Sequence, residues 1–435
     1  MIEAEGLPDT DTAFFNIDGD DYTDAYVTGD LGGARLFKTK YIPNSLNPTW
    51  DEEFNIYVCH YATSFVLKVK DKEHVGATFI ASTTIRAADL ESGDPIDDWF
   101  DLLDGETSMG RLHVSVQYTP KSSLGEESHG LQDAYFPLRQ ACRMITYQDA
   151  DTPQLAQFEG VLHPDGSPYA ATRAWKDLYD CLKNAQKFIY ITGWSVFTNI
   201  QLLRGDEDPD GFSHVGELLK VKADEGVRVL IMVWNEKLST EGREGLMGTH
   251  DEETRAFFAD TAVECVAVSR AKTDGVLADS FVGTFYTHHQ KTVICDAASE
   301  QDDLRRIVAF IGGLDITDGR YDTPEFHLFK TIRTLHRNDF YNNCVVGATC
   351  DVGPRQPWHD IHAKAEGPIA LDIKKNFEER WIRQSEDMAT RLFQATEDEF
   401  DLEAPAQGQD YEGGPWNMQL FRSITSDSAV FDTDK

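Results

Sequence analysis

Residues 174–192 read AWKDLYDCLKNAQKFIYIT, and their pattern decides the fold class of most of the chain. Trp175, Leu178, Tyr179 and Leu182 recur at helical spacing through Ala174–Ala185, and Phe188–Thr192 follows as a short apolar run of strand character. The pattern returns downstream, with helical periodicity over Val215–Ala223 and a buried-strand run over Val227–Trp234. Thr287–Cys295 and Ile307–Ile311 read as two more strands. Helices alternating with apolar strands predict an α/β domain, a mixed sheet flanked by helices.

Residues 24–118 read differently. Short strands are expected at Ala25–Thr28, Arg35–Tyr41, Glu53–Val58, Ser64–Val69, Thr78–Thr84, Asp98–Leu102 and Arg111–Tyr118, with turn signals between them and almost no helical periodicity. That spacing predicts an all-β sandwich. Thr119–Gly130 (TPKSSLGEESHG) is polar and turn-rich, and the domain boundary falls there. The loop Asp206–Gly211 and the acidic run Glu397–Asp401 read as solvated surface.

At 435 residues the chain is too long for one core and predicts more than one domain. Its formal charge of −35 excludes nucleic acid as a natural partner, because phosphate backbones attract a basic surface. The same charge repels anionic lipid, so docking on a membrane calls for a mediating cation, and calcium is the obvious one. No apolar run approaches the roughly 20 residues needed to span a bilayer, and no basic segment followed by an apolar one stands at Met1. The seven cysteines are odd in number and scattered, which predicts reduced thiols and a cytoplasmic protein that visits membrane surfaces peripherally.

The chemistry concentrates in His288-His289-Gln290-Lys291-Thr292-Val293-Ile294-Cys295-Asp296, a His-x-Lys-x-x-x-x-Asp pattern. On a strand, His289 and Lys291 would project to one face, where an imidazole and an ammonium could meet the same phosphoryl group. Asp296 has opposite parity, which assigns it to folding or orientation. Around the pattern lie Gly193-Trp194-Ser195-Val196, Thr249–Thr254 (THDEET), Gly312-Gly313-Leu314-Asp315 and Asp318–Thr323 (DGRYDT), concentrations of glycine, polar and aromatic residues of the kind that hold sites.

THHQKTVICD, FIGGLDITDGRYDTPEFHLF, GPRQPWHDIHAKAEGPIA, GWSVF, EGVRVLIMVW and THDEET together resemble the plant-type phospholipase D family over nearly the whole chain. The resemblance implies two such motifs forming one active site. One histidine attacks the lipid phosphorus to give a phosphohistidine, and the other protonates the departing alcohol and then activates water. His289 would be the nucleophile, with Lys291 neutralising phosphoryl oxygens and Asp296 completing the motif. Asp315 and Asp322 are both candidates for the carboxylate that orients the imidazole. The other His-x-Lys downstream, His362-Ala363-Lys364, has Ile369 where the motif needs Asp. Trp416–Ser423 resembles the opening of a second catalytic half, and both ends of the chain read as cut, with an unpaired edge expected. The domain expectation is a sandwich with a truncated first strand over 1–118, a linker over 119–133, a first catalytic half over 134–415 and the start of a second over 416–435. A second half, or self-association, would supply the other histidine.

The sandwich resembles a C2 domain, whose loops bind calcium and lipid. Asp18 and Asp24 match its first binding loop, and Asp71 and Glu73 its third. The resemblance also implies a calcium near the catalytic centre, held by Asp149, His327 and His359 with a further acidic ligand from the second half. These expectations converge on hydrolysis of phosphatidylcholine-type glycerophospholipids to phosphatidate and a free head-group alcohol at a membrane surface. The competing reading is a catalytically silent, calcium-dependent membrane-binding protein; a nuclease is disfavoured by charge.

Overall fold

The computed structural model describes residues 2–10, 23–58, 60–72, 77–120, 123, 130–131, 134–152, 159–162, 166, 168–169, 171–208, 213–236, 247–269, 287–299, 303–385, 390–396, 398–401, 416–425 and 428–431. The chain divides into two compact units, Met1–Asp133 and Ala134–Lys435.

In the first unit, strands β1 (Ile2–Glu5), β2 (Ala25–Leu31), β3 (Ala34–Lys38), β4 (Thr49–Trp50), β5 (Ser64–Lys72), β6 (Ala77–Arg86), β7 (Ile96–Asp104) and β8 (Thr107–Val116) follow in the order β3-β2-β5-β6-β7-β8-β1-β4. One short helix, α1 (Ala87–Leu90), follows β6. A single residue pair, Ser82 with Leu103, joins β6 to β7, so the order bends there into two layers. Val27, Leu67 and Val69 from one layer and Ile2, Leu112 and Val114 from the other share one core, which makes the unit a sandwich. Period-two alternation explains why β5 was legible: its burial alternates residue by residue.

Two expectations fail here. Glu53–Val58 forms no strand; Phe54 instead stacks on Phe37 at 4.5 Å, and Tyr57 donates its hydroxyl to the Gly130 carbonyl at 3.0 Å. The opening residues, expected to be too short for a strand, pair on both sides, with β8 and with β4.

In the second unit, β9 (Arg139–Tyr147), β10 (Phe188–Gly193), β11 (Arg228–Trp234), β12 (Glu264–Val268), β13 (Thr292–Ala298), β14 (Arg305–Gly312), β15 (His362–Glu366) and β16 (Trp416–Met418) form one sheet in the order β12-β11-β10-β13-β14-β15-β9-β16. The β10–β11–β12 pairs are parallel and the rest antiparallel. Helices α2 (Ala174–Asn184), α3 (Val215–Asp224) and α4 (Asp251–Phe258) contribute Trp175, Leu178, Leu219 and Phe258 to a core on one face of the sheet, and α5 (Ile369–Gln384) lays Ile373, Phe377 and Trp381 on the other. Covered on both faces, β10 is buried at every position, which is why its sequence shows no alternation. No helix among the described residues is long and apolar enough to cross a membrane.

Three corrections follow. The strand expected at Thr287–Cys295 begins only at Thr292, so His289 and Lys291 lie in the segment leading into it. Trp416–Met418, expected to leave an unpaired edge, pairs with β9 and covers it; Arg422 just beyond donates to Glu379 Oε2 at 2.5 Å and Asn376 Oδ1 at 3.0 Å. The thiols expected to be reduced include one bonded pair: Cys181 on α2 and Cys295 on β13 form a disulfide, because the helix lays that position onto the strand.

Candidate active site

The parallel strands β10 and β11 end together, and the loops beyond them carry the glycine-rich and polar motifs. Such carboxyl ends gather sites because several loops converge there. Ser195, just after β10, donates its hydroxyl to the Thr249 carbonyl at 2.7 Å, and its Oγ lies 2.8 Å from Thr317 Oγ1. The Thr249 hydroxyl in turn lies between two carboxylates, 3.1 Å from Glu236 Oε2 and 3.0 Å from Asp251 Oδ1. Four stretches far apart in sequence are thus tied into one buried polar network, which fixes their positions when every member is satisfied.

Asp315 is the anchor of this end. It is 3% exposed; its Oδ1 accepts the Trp194 amide at 2.9 Å and the Ser195 amide at 3.4 Å, while Oδ2 lies 3.1 Å from Lys291 Nζ. Gly193 is required for that approach: a Cβ there would stand 3.0 Å from Asp315 Oδ1 and 2.9 Å from the Ser195 carbonyl. Lys291 is 5% exposed and also donates to the His289 carbonyl at 3.1 Å. Burial pushes the lysine pKa down and the aspartate pKa up, each opposed by the other's charge.

His289 is exposed, so it and Lys291 do not share one environment as strand alternation predicted. The reason is the late start of β13. The imidazole ring lies 6.1 Å from that of Trp194. Its pKa is held below the usual histidine value, first by loss of water on its covered side and then by the Lys291 charge; Asp315 and Asp360 pull the other way and Arg320 adds to the depression. The neutral, nucleophilic form therefore prevails at neutral pH. Neither Asp315 nor Asp322 is the hydrogen-bonded orienter expected of them: Asp315 belongs to Lys291, and Asp322 Oδ2 lies 2.8 Å from Arg355 Nη2.

Asp296 lies elsewhere on β13. It is fully buried, and its carboxylate accepts the amides of Lys187 at 2.9 Å and Phe188 at 3.0 Å, that of Gln186 at 3.1 Å, and Arg305 Nε at 2.7 Å. With those acceptor sites filled it pins the start of β10 to β13, the folding role its opposite parity implied, so its place in the catalytic motif is that of scaffold and not of a reacting group.

The sequence marked Arg320 only as part of the DGRYDT stretch, and gave no role to Asp360 or to the pins behind His289. Arg320 is 4% exposed and lies over the Trp358 ring at 4.0 Å. Asp360 packs against Gly313, where a Cβ would meet its Oδ1 at 2.7 Å. Behind the motif, Arg380 on α5 donates to Gln290 Oε1 at 2.8 Å, and Gln384 Nε2 lies 3.1 Å from His288 Nε2. His362, dismissed as an incomplete motif, is buried beside the site. Its Nδ1 has no hydrogen-bond partner and burial pushes its pKa down to about 4. It lines a cavity of about 20 Å³ with Lys291, Asp315 and Thr192.

The expected calcium ligands of this unit come together only in part. Asp149 is 1% exposed; its Oδ1 lies 3.1 Å from His359 Nδ1, its Oδ2 has no partner, and burial raises its pKa. His327 engages through its backbone carbonyl, which accepts Arg355 Nη1 at 3.1 Å. Among the described residues no three His, Cys, Asp or Glu side chains stand close enough to hold an ion. Calcium takes about six to eight oxygens, so this set does not fit it. In the first unit, Asp71 Oδ1, near the end of β5, accepts the Asp24 amide at 2.8 Å, which brings these two residues together at one end of the sandwich. Asp24 Oδ1 takes the Asn44 amide at 2.9 Å, and Asp71 Oδ2 takes the Thr10 hydroxyl at 2.5 Å. Asp18 and Glu73 lie outside the described residues.

The phospholipase D family model matches residues 181–435, and the C2 domain model matches residues 1–102. Phospholipase D alpha 1 of Vigna unguiculata is 41% identical over 434 residues, covering 94% of this chain and 53% of that protein. Phospholipase D alpha 1 of Ricinus communis is 41% identical over 428 residues, covering 93% and 52%. Phospholipase D gamma 1 of Arabidopsis thaliana is 39% identical over 440 residues, covering 93% and 50%. The chain spans about half the length of the curated relatives it matches. With a C2-type sandwich followed by a mixed-sheet α/β unit, and a family model matching more than half its residues, the chain belongs to the phospholipase D family.

Proposed function

We propose that this chain supplies one half of a phospholipase D active site acting on phosphatidylcholine-type glycerophospholipids. The observation that supports this best is an exposed His289 kept neutral beside a buried Lys291–Asp315 pair, at the carboxyl ends of parallel strands. In this reading an imidazole nitrogen of His289 attacks phosphorus. The P–N bond forms as the bond to the head-group oxygen breaks, leaving a phosphohistidine and the alcohol. Water then attacks the same phosphorus, releasing phosphatidate and free His289. Lys291 and Arg320 place positive charge where the phosphoryl oxygens gain negative charge, the largest single source of acceleration in such sites. Asp315 fixes the Lys291 ammonium, and Asp296 serves the fold.

The proton for the departing alcohol comes from a second histidine. This sequence holds one complete His-x-Lys-x-x-x-x-Asp, so that histidine belongs to a second half or a second copy. Recruitment to the bilayer is assigned to the sandwich, where Asp24 and Asp71, with Asp18 and Glu73, would hold calcium; the ion supplies the positive charge that lets acidic loops meet lipid phosphate. Peripheral attachment to the bilayer follows from this reading.

The test is choline release from phosphatidylcholine vesicles by the chain and by His289→Ala, with vesicle co-sedimentation in calcium and in chelator. Where a second half or a second copy completes the site, release is expected to fall by about a thousandfold or more in His289→Ala. Equal activity of the two sinks the assignment. Calcium-dependent binding without hydrolysis favours the silent membrane-binding reading, to which the single motif also lends support.

A further inference from the structure

Exposed apolar side chains concentrate in one part of the second unit. Between Phe326 and Gly353, Leu328, Phe329, Leu335, Val345, Val346 and Val352 are all exposed, with Val346 at 104%, Val352 at 69% and Phe329 at 59%. Phe329 and Val352 are neighbours in space: Gly353 rests against the Phe329 ring so closely that a Cβ there would stand 2.8 Å from it. The Arg355 amide donates to the Leu328 carbonyl at 2.9 Å, and Arg333 Nη2 to the Asp351 carbonyl at 3.4 Å, which ties the two strips of chain side by side. Val345 and Val346 sit in a turn closed by Ala348 N to the Val345 carbonyl at 3.2 Å, its base held by Asn342 Nδ2 on the Pro354 carbonyl at 2.8 Å.

The charge of this region is opposite to that of the chain. Lys330, Arg333 and Arg337 are exposed, and none forms an ion pair with a carboxylate among the described residues. The acids of the same segment are Asp339, buried and paired with Arg204, and the exposed Asp351. In a protein of formal charge −35, three exposed cations with no carboxylate partner among the described residues, in the same segment as these apolar side chains, form a local reversal of sign. Cations at the headgroup level with apolar side chains below them are the arrangement that binds an anionic bilayer. The patch also borders the candidate site: His327 precedes Leu328, and the Phe326 ring meets the His359 ring edge-on at 4.9 Å.

We propose that residues 326–353 form a second, calcium-independent docking surface for an anionic phospholipid bilayer, with Phe329, Val345, Val346 and Val352 entering the interface and Lys330, Arg333 and Arg337 facing phosphate headgroups. It rests on the phospholipase D reading only for the choice of phosphatidate as the anionic lipid. The surface keeps the site against the bilayer and strengthens as anionic product accumulates.

The full chain carrying His289→Ala, which keeps vesicle composition fixed, is mixed in chelator with vesicles of phosphatidylcholine alone or with added phosphatidate. Two readouts are taken: flotation, and the rate of maleimide labelling of the exposed Cys344, resolved by peptide mass spectrometry. Phosphatidate vesicles are expected to bind the chain and slow Cys344 labelling several-fold, while phosphatidylcholine vesicles and inorganic phosphate leave it unchanged. Binding should weaken about tenfold or more in Lys330→Glu/Arg333→Glu/Arg337→Glu, and again in Val345→Asp/Val346→Asp. No binding in chelator, or binding that leaves Cys344 labelling unchanged, overturns the proposal. So does protection of Cys344 without lipid in a chain that sediments as a dimer, which makes the patch a protein interface. Because labelling is read on the unaltered surface, a variant that fails to fold does not decide the outcome, and because no hydrolysis is measured, the result stands apart from the His289 assay.

Discussion

Strand β13 and the segment leading into it place the site and its scaffold within eight residues, 289–296, and the two are built from the same parts in different ways. Asp296 faces three backbone amides and an arginine, all within hydrogen-bond distance, and nothing is left for a substrate. Asp315, at the other end, divides its oxygens between two amides and the Lys291 ammonium, beside an exposed imidazole. Both carboxylates are buried, so burial alone does not mark a catalytic group. What separates them is whether the partner is itself poised next to open space.

Removing Asp296 tests the scaffold end and should have the largest effect. Asp296→Ala leaves buried amides and the Arg305 guanidinium without an acceptor, and a loss of about 3–5 kcal/mol in unfolding free energy is expected by denaturant titration. A loss under ~1 kcal/mol would mean the carboxylate is not the pin described here.

Asp315→Asn probes the other end. The amide oxygen still accepts from Trp194 and Ser195, so destabilisation should be smaller, about 1–3 kcal/mol. The Lys291 pKa should fall further, because the anion that holds the proton on a buried ammonium is gone. Lysine side-chain NMR across pH reads this directly. If the Lys291 titration is unmoved, the two ends of β13 are equivalent scaffolding and the distinction collapses.

The smallest effect is a pH dependence. Burial lowers the His362 pKa to about 4 and that of His336 to about 3. Both rings are neutral in the folded chain and protonate more readily when unfolded. Their contribution is present above the ordinary histidine value and is lost as pH falls from there through the folded values. His362→Gln should flatten that acid slope by roughly 2 kcal/mol between pH 6.5 and 4. An unchanged acid slope in thermal melts would show that His362 does not sit neutral beside Lys291.

How much was legible differs by element. The strand β10 and the helix α2 were readable because an apolar run and a 3.6-residue stripe are local signals. Helix α5 carries an equally plain stripe, Ile369, Ile373, Phe377 and Trp381, at the same 3.6-residue spacing. Strand β9 gave little signal: only Cys142 and Tyr147 are buried along its nine residues. The parity argument for His289 and Lys291 failed since parity holds only within a strand, and β13 starts at Thr292. Of the expected calcium set in the α/β unit, Asp149 and His359 stand together, a pairing across more than two hundred residues that no local pattern records.

By itself the sequence determined the two-unit organisation, the family, and the residue types that can do phosphoryl chemistry, because periodicity, charge and motif spacing are properties of the chain. Only the tertiary structure decided which carboxylate serves which cation, which amides and which arginine Asp296 holds, and that Arg320, Asp360 and His362 border the site. Those are pairings between positions tens of residues apart. Packing selects them by satisfying buried charge and amides, and no local pattern records that selection.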